Sequence, residues 1–297
     1  MTRLIEQDRL PHLLFYGPPG TGKTTTILAC ARKIYGDNYR KMILELNASD
    51  DRGIKTVRDT IKDFASSRQM FASGPKLIIL DESDAMSNDA QAALRRVVEK
   101  FTANTRFCFI CNYVSKIIPA LQSRCTKFRF APLKSEQILP RINFICQAEQ
   151  IPVTPEGVEA IVELGSGDMR KCLNILQATH MSFGRVDGEL VYQTTGQPLP
   201  RDIETILHLL LNTDTPTAYE QIVALKTTKG LALEDILRQV HKTILRLALS
   251  KNERVLIDLL DAMATIEANL ATGTSERMQL GGLVGAFQLA RNQIAAK

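Results

Sequence analysis

Short apolar runs alternate with helical patterns along the first 130 residues of the chain. Each run has the length and composition of a buried strand, and the residues between the runs have helical spacing. The runs are LLFYG at 13–17, MILEL at 42–46, KLIIL at 76–80, FCFICN at 107–112 and TKFRF at 126–130. Because strands that alternate with helices pair in parallel, the pattern predicts an α/β domain in which helices cover a parallel sheet.

The helix predicted between the third and fourth strands has the clearest periodicity. Apolar residues recur at Ala90, Leu94, Val97 and Phe101, which is the spacing of one helix face. Ser87 has a side chain suited to the N-cap position. We therefore predict a helix from about residue 87 to residue 101.

After Pro132 the strand patterns fade and the chain has only helical ones. Helices are predicted to begin near Ser135, after Thr154-Pro155 and at Asp168, and this small helical unit is predicted to end at about 184–189. A longer helical block follows from about 200, with breaks near 213–216, 229–230, 250–252 and 271–275. The predicted domains are 1–133, 134–196 and 197–297.

Composition restricts the class of protein. With 44% hydrophobic and 23% charged residues, the 297-residue chain matches soluble globular proteins of two or three domains. Its apolar runs fall far short of the roughly 20 residues needed to cross a bilayer, and its opening, MTRLIEQDRL, lacks the apolar core of a signal peptide. We expect an intracellular protein with no membrane partner. The net charge of +5 is compatible with an anionic partner but identifies none.

The six cysteines lack the paired spacing of a disulfide scaffold. Cys108 and Cys111 form a C-x-x-C motif, but within a strand their side chains would point to opposite faces of the sheet. No second cysteine pair or histidine cluster completes a metal site. We expect both residues to pack as small apolar side chains and not to bind zinc.

The segment GPPGTGKT at 17–24 follows the first predicted strand and matches the phosphate-binding pattern G-x-x-x-x-G-K-[ST]. Its glycines allow backbone N–H groups to surround phosphate oxygens, and the dipole of the following helix points at the same place. Lys23 would reach the β and γ phosphates of ATP, and Thr24 would bind Mg²⁺. The predicted nucleotide ligands of this loop are Gly17, Pro18, Pro19, Gly20, Thr21, Gly22, Lys23, Thr24 and Thr25.

Polar residues end the third and fourth strands. Asp81 and Glu82 follow KLIIL, and adjacent carboxylates behind a buried strand need a cation or a hydrogen-bond partner because unpaired burial is costly. After a phosphate-binding loop we favour catalysis over a solvated turn: Asp81 would hold Mg²⁺, and Glu82 would orient and deprotonate the attacking water. Asn112 would position that water, although asparagine also ends strands for local reasons.

These motifs together resemble a known family. GPPGTGKT, LIILDESD, FCFICN, SRC at 123–125 and GDMRKCLNILQ at 167–177 have the order and spacing of AAA+ ATPases. The stretches LELNASDDRGI at 44–54 and ALRRVVEKFTANTRF at 93–107 resemble the small subunits of replication factor C, the eukaryotic clamp loader. The resemblance covers essentially the whole chain, more loosely after residue 197.

The resemblance implies both a fold and a function. The expected fold is an AAA+ P-loop domain with a parallel sheet, a small helical lid at 134–196 and an all-helical collar at 197–297. The expected function is that of an ATP-hydrolysing subunit in a nuclear heteropentamer, which opens a sliding clamp and loads it onto primer–template DNA during replication and repair.

Two arginines gain roles from the resemblance. Arg124, within SRC, would be an arginine finger that acts in trans on the γ-phosphate bound by a neighbouring subunit, where a guanidinium can stabilise developing charge. The alternative is a surface salt bridge. Arg170, within GDMRK, would contact the nucleotide bound by its own chain, and the alternative is an ordinary helix-surface arginine.

A basic stripe follows residues 50–53. Lys55, Arg58 and Lys62 have the i, i+3, i+7 spacing of one helix face, which could track DNA phosphates without reading bases. Asp59 and Asp63 flank the stripe, so a solvated face with local ion pairs is the alternative. The resemblance favours binding to the primer–template junction.

Met70 and Phe71 lie in a short polar segment, SSRQMF at 66–71. The resemblance implies that this region faces the sliding clamp, where the pair could enter an apolar pocket. Core packing is the alternative interpretation.

The chain departs from the family pattern at two places. Twelve residues precede the first strand, whereas the resemblance implies a longer segment with a Tyr-Arg-Pro stretch that helps to enclose adenine. We therefore expect a truncated N-terminal segment, and the property on which this departure bears is nucleotide affinity. Ser83 replaces the usual alanine of the acidic motif. Two other functions stay open: a different AAA+ DNA motor, and an ATP-binding structural subunit with little hydrolysis.

Overall fold

The computed structural model describes residues 10–48, 53–67, 74–246 and 253–295, and in the helix at 53–66 it describes side chains from Asp59 onwards. Contacts between Cα atoms divide the chain into two compact units, each made of two segments. One unit consists of Met1–Ile145 with Val162–Asn174, and the other of Cys146–Ile161 with Ile175–Lys297. The predicted lid thus contributes residues to both units, while its assignment as a separate domain stays a prediction.

The first unit contains a parallel sheet of five strands in the order β2-β3-β4-β1-β5. Every predicted strand is present, which confirms the α/β prediction. The strands are β1 Leu13–Tyr16, β2 Ile43–Asn47, β3 Lys76–Asp81, β4 Thr105–Cys111 and β5 Thr126–Arg129. Strands β3 and β4 are buried almost throughout, as continuous apolar runs predict for strands covered on both faces.

Helices of the first unit connect these strands. They are α1 Lys23–Tyr35, α2 Tyr39–Met42, α3 Gly53–Ser66, α4 Asn88–Phe101 and α5 Pro119–Gln122, with 3₁₀ turns at Gly36–Asn38, Ser83–Ala85 and Val114–Lys116. The hydroxyl of Ser87 accepts a hydrogen bond from the backbone N–H of Ala90 at 3.3 Å, so the predicted cap of α4 is confirmed.

The two sheet faces bury separate apolar clusters. Leu14, Ile78 and Phe109 belong to the cluster that packs against α4, whereas the opposite cluster packs against α1. Cys111 lies in the first cluster and Cys108 in the second, which confirms that these two side chains point to opposite faces. Burial raises the pKa of the Cys111 thiol to about 12, so this side chain stays neutral at physiological pH.

The helices α6 Ser135–Ala148, α7 Pro155–Gly165 and α8 Met169–Phe183 begin where the sequence predicts. A fourth, α9 Gly188–Thr195, lies within the predicted lid at 134–196, but no helix was predicted there. Its local signals are Asp187, whose side chain accepts a hydrogen bond from the backbone N–H of Leu190 at 3.0 Å, and Gly196, which ends the helix with a positive φ.

The second unit ends in helices α10 Pro200–Asn212, α11 Thr215–Lys229, α12 Leu233–Arg246, α13 Glu253–Ala271 and α14 Glu276–Ala295. Their leucine and isoleucine faces form one core. The breaks predicted near 213–216, 229–230 and 271–275 are confirmed, and the one near 250–252 lies outside the described residues. In this core the buried carboxylate of Asp202 is paired with Lys229 at 2.6 Å. Among the described residues, no helix has a stretch that is both long and apolar enough to span a membrane.

His12, just before β1, is buried with 7% of its surface exposed. Its Nδ1 atom accepts a hydrogen bond from the backbone N–H of Phe107 at 3.1 Å, so this nitrogen carries no proton. Burial, with a smaller contribution from the positive charge of Arg106, lowers the pKa of His12 to about 4. The fold therefore holds a neutral histidine beside the start of the sheet.

We expect the stability of the protein to fall as the pH is lowered through the range between about 6.5 and 4. In this range the unfolded chain binds a proton at His12 and the folded chain does not, so acid favours unfolding. Between about pH 7.5 and pH 5, His12 should lower the free energy of unfolding by roughly 2 kcal/mol. Urea titrations of wild type and His12→Asn test this, because asparagine can accept the same hydrogen bond but does not titrate. Equal pH dependence in the two proteins would contradict the prediction.

Candidate active site

The phosphate-binding loop lies between β1 and α1, where two glycines are required by geometry. Gly17 has φ +147°, and a Cβ atom there would lie 2.0 Å from the backbone oxygen of Phe130. Gly20 has φ +65°, and a Cβ atom there would lie 1.6 Å from the Asp168 carboxylate. A side chain at either position would meet both backbone strain and a clash. Asp81 and Asn112 lie at the carboxyl ends of the parallel strands β3 and β4, which is the sheet edge where ligands bind in this class of fold.

Lys23 is a buried cation at the first position of α1, with 8% of its surface exposed. Its Nζ atom donates to the backbone oxygens of Gly17 at 2.7 Å and Pro18 at 2.8 Å, and to Oδ1 of Asn112 at 3.0 Å. Burial lowers the pKa of this ammonium, and the nearby charge of Asp81 opposes that shift. The lysine thus joins the phosphate-binding loop to the tip of β4.

Thr24 and Asp81 form the candidate magnesium site. The hydroxyl of Thr24 donates to Oδ2 of Asp81 at 2.7 Å, and Oδ1 of Asp81 accepts the backbone N–H of Glu82 at 2.8 Å. A hydroxyl and a carboxylate are hard oxygen ligands of the kind that Mg²⁺ prefers, so the donor set fits that ion.

Glu82 directly follows and is exposed, with its backbone in the left-handed region at φ 53°. Non-glycine residues occupy this region rarely, and such positions concentrate at functional sites. The next residue, Ser83, is buried, and its hydroxyl donates to the backbone oxygen of Leu80 at 2.8 Å. The hydroxyl that distinguishes Ser83 from alanine is therefore satisfied within its own turn and makes no hydrogen bond with Glu82.

Asp84 is a site residue that the sequence reasoning missed. Its Oδ2 atom accepts hydrogen bonds from the backbone N–H groups of Asn112 and Tyr113, both at 3.1 Å. The side chain of Asn112 contacts Lys23, so the carboxylate holds the backbone from which that contact is made. The available sequence signal was the last acid of DESD, but its partners lie 28 and 29 residues away.

Arg170 is the second residue of α8, and the start of this helix meets the phosphate-binding loop. The preceding residue, Met169, donates its backbone N–H to the oxygen of Gly20 at 3.1 Å, and Asp168 packs against the same glycine. The charge of Arg170 also contributes, after burial, to the lowered pKa of Lys23. The structure therefore brings Arg170 into the electrostatic surroundings of the loop.

Arg124 has a different set of contacts. Its Nη1 atom donates to the backbone oxygen of Ala120 at 2.6 Å, and its Nη2 atom is paired with Oε1 of Glu99 at 2.5 Å. Its side chain is 32% exposed. The predicted finger is thus held by its own chain through residues outside the phosphate-binding loop.

The segment before Arg124 is also attached to α4. Gln91 is buried, and its amide nitrogen donates to the backbone oxygen of Lys116 at 2.9 Å. Its amide oxygen accepts the backbone N–H of Ile118 at 2.8 Å. Both polar atoms of one side chain therefore fix the turn that leads into α5.

The predicted DNA and clamp residues are described only in part. Lys62 is on α3, with its side chain 39% exposed and 3.6 Å from the carboxylate of Asp59. The side chains of Lys55 and Arg58 lie outside the described residues, and so do Met70 and Phe71. Their roles stay predictions.

Two family models match the chain. The one described as "ATPase family associated with various cellular activities (AAA)" matches residues 13–133. The one described as "Replication factor C C-terminal domain" matches residues 198–286.

Curated relatives match over nearly the full chain. Replication factor C subunit 5 of Mus musculus is 58% identical and the match covers 99% of this chain and 87% of the mouse protein. Replication factor C subunit 5 of Homo sapiens is 56% identical, and the match covers 99% of this chain and 86% of the human protein. Replication factor C subunit 3 of Schizosaccharomyces pombe is 50% identical, and the match covers 97% of this chain and 84% of the yeast protein.

Solved structures of other proteins share the fold. The Aeropyrum pernix ORC1 protein in complex with DNA aligns with a TM-score of 0.52 and 21% identity, covering 83% of this chain and 81% of that one. The Thermotoga maritima RuvB Holliday junction branch migration motor aligns with a TM-score of 0.50 and 15% identity, covering 80% and 83%.

The segment SKIIPALQSRCTKFRF at 115–130 resembles the small subunit that is numbered three in fungi and five in animals, and the relatives confirm this resemblance. The ordered motifs, the five-stranded sheet and the two family matches agree with that assignment. The chain belongs to the replication factor C family, as a small AAA ATPase subunit of that clamp loader.

Proposed function

We propose that this subunit binds ATP together with Mg²⁺ and, as part of a heteropentamer in the nucleus, uses hydrolysis to load a sliding clamp onto primer–template DNA. The observation that carries the proposal is the cluster of Lys23, Thr24, Asp81 and Asn112 at one edge of the sheet. Residues from three separate segments meet there in the arrangement that phosphoryl transfer needs: a cation for phosphate, hard oxygen ligands and a polar group for water.

Each residue has a defined task in this mechanism. Lys23 would exchange its backbone acceptors for phosphate oxygens, and Thr24 with Asp81 would hold Mg²⁺. The ion would neutralise phosphate charge when bound. Glu82, exposed beside Asp81, would take the proton of the attacking water, and Asn112 would orient that water without adding charge. Arg170 would connect the state of the phosphates to the start of α8.

Arg124 would act on the nucleotide of a neighbouring subunit. Its partners in its own chain, Ala120 and Glu99, lie outside the phosphate-binding loop. A guanidinium that is absent from its own site but partly exposed suits a role in trans, because it can enter a site only when two subunits meet. Hydrolysis would then depend on assembly.

The proposed DNA contact is the stripe formed by Lys55, Arg58 and Lys62, and the proposed clamp contact is formed by Met70 and Phe71. The partial exposure of Lys62 supports the first, because a basic side chain on a folded helix can neutralise a phosphate. The 3.6 Å contact with Asp59 is an exposed ion pair, which contributes little energy and can be exchanged for a phosphate.

A structural subunit with little hydrolysis is the second candidate. Such a subunit would not need a general base, a water-positioning amide and a phosphate-binding cation in one place. Because Lys23, Glu82 and Asn112 are all retained, hydrolysis is favoured. A different DNA motor is disfavoured by the replication factor C relatives, whose matches cover 99% of this chain.

We expect Asp84→Asn to lower ATP turnover by about ten-fold to a hundred-fold with little change in ATP affinity. An amide accepts the two backbone hydrogen bonds more weakly than a carboxylate does, so Asn112 would lose its fixed position, and small displacements of a reacting group are costly. Single-turnover hydrolysis and equilibrium nucleotide binding separate the two quantities. Asp89→Asn, at an exposed acid in the first turn of α4, is the matched control and should leave both unchanged.

Arg124→Ala tests the trans mechanism. The test uses reconstituted assemblies with clamp and primed DNA. In these assemblies the P-loop lysine is replaced in every subunit except the neighbour whose site Arg124 is proposed to reach, so that only this site can turn over ATP. Turnover should fall by about 10³-fold or more, because the transition state loses a fixed cation. Size-exclusion chromatography checks that the assembly is intact. Undiminished turnover would contradict the trans role and leave Arg124 as an interface or surface charge.

Replacing Lys55, Arg58 and Lys62 together with glutamine should weaken the binding of primed DNA and reduce the salt dependence of that binding. If each side chain contacts one phosphate, the slope of log K against log salt falls by up to about 3. Asp59→Asn is the control, because it removes the ion pair with Lys62 and keeps every basic side chain, so binding should be equal or stronger. An unchanged slope in the triple variant excludes this surface as the DNA contact.

A further inference from the structure

We propose that Glu99 is a positioning residue for Arg124: its carboxylate holds the guanidinium in the orientation from which it enters the neighbouring subunit's site. The inference rests on the proposed trans role of Arg124. It assigns a task to a residue that lies 25 positions away in the chain and that no nucleotide-binding motif includes.

Both terminal nitrogens of the Arg124 guanidinium are hydrogen-bonded within its own chain. Nη2 is paired with Oε1 of Glu99 and Nη1 with the backbone oxygen of Ala120. A guanidinium has five N–H donors in a rigid plane, so two fixed contacts define the direction of that plane while other donors stay available. With 32% of the side chain exposed, those donors can be reached from outside the subunit.

Glu99 is in turn fixed on α4. Its Oε1 atom also accepts Nε of Arg95 at 3.1 Å, one helical turn earlier. The hydrogen bond from Arg95 and then the hydrogen bond and charge of Arg124 hold the pKa of Glu99 below its ordinary value, so the carboxylate stays ionised at physiological pH. One carboxylate therefore separates two arginines that would otherwise repel each other.

Two residues of α4 hold the two ends of the segment that carries Arg124. Gln91, on the same helix, fixes the turn at 116–118, and Glu99 fixes Arg124, at the far end of the segment that begins there. The segment that delivers the arginine is thus attached to one rigid helix at both ends. Without Glu99 the backbone would keep its place through Gln91, but the guanidinium would lose its contact at Nη2 and would be restrained only through Nη1.

The pair could instead be an inert surface salt bridge, or it could compete with phosphate and restrain Arg124. An exposed pair is weak, and a γ-phosphate with its higher charge would displace the carboxylate easily, so competition would be slight. A positioning role has a larger effect on catalysis. Ordering a flexible arginine costs conformational entropy, and the contact with Glu99 has already offset that cost before the two subunits meet. This comparison favours positioning.

The test uses the reconstituted heteropentamer in which only the neighbouring site keeps its P-loop lysine. Wild type, Glu99→Gln, Arg124→Ala and the double variant are compared by ATP turnover with clamp and primed DNA. The control is Glu234→Gln, which removes a similar exposed pair with Arg238 on α12.

We expect Glu99→Gln to lower kcat by about two-fold to five-fold, the range of one exposed ion pair, with KM for ATP unchanged. In the Arg124→Ala background the same change should have no effect, because there is no guanidinium left to orient. Glu234→Gln should match wild type.

Three results would overturn the inference. Turnover that is unchanged or increased in Glu99→Gln, while Arg124→Ala remains severely impaired, excludes positioning and leaves the trans finger intact. A loss that persists in the Arg124→Ala background shows that Glu99 acts on something else. If Arg124→Ala itself turns over normally, the proposed trans role fails, and the inference falls with it.

Discussion

The burial of the Lys23 ammonium is the constraint on which the nucleotide site depends. A buried cation must be surrounded by acceptors, since unpaired charge in the interior is costly. Here the acceptors are the backbone oxygens of Gly17 and Pro18 and the amide of Asn112. The loop must therefore curl toward the lysine, and the tip of β4 must approach it. Phosphate oxygens can later take the place of these acceptors without a change of fold.

The parallel sheet makes this arrangement possible, because its strands deliver their carboxyl ends to one edge. β1 leads into the phosphate-binding loop, β3 ends at Asp81 and β4 is followed by Asn112. Carboxylates complete the edge in two ways: Asp81 contacts the hydroxyl of Thr24, whereas Asp84 holds backbone N–H groups. Both carboxylates thus accept hydrogen bonds from other segments of the chain, which ties the strand ends to the phosphate-binding loop and to each other.

Sequence reasoning recovered the features that depend on local pattern. The five strands, the phosphate-binding loop and the cap of α4 by Ser87 follow from periodicity, glycine spacing and side-chain chemistry within a few residues. It missed the contacts of Asp84 with the tip of β4 and of Glu99 with Arg124, because these join positions that only the folded chain brings together. Helix α9 was missed for another reason: it is short, and its apolar pattern is brief.

The contact between Gly20 and Asp168 has a consequence for how the chain can be divided into fragments. The unit that holds the sheet also includes Val162–Asn174, so its sequence is interrupted by residues that belong to the other unit. A gene fragment that stopped after β5 would encode every strand. It would still lack the Asp168 carboxylate and the backbone N–H of Met169, both of which meet Gly20. A fragment that keeps these contacts of Gly20 must therefore extend at least to Met169, well past the last strand of the sheet.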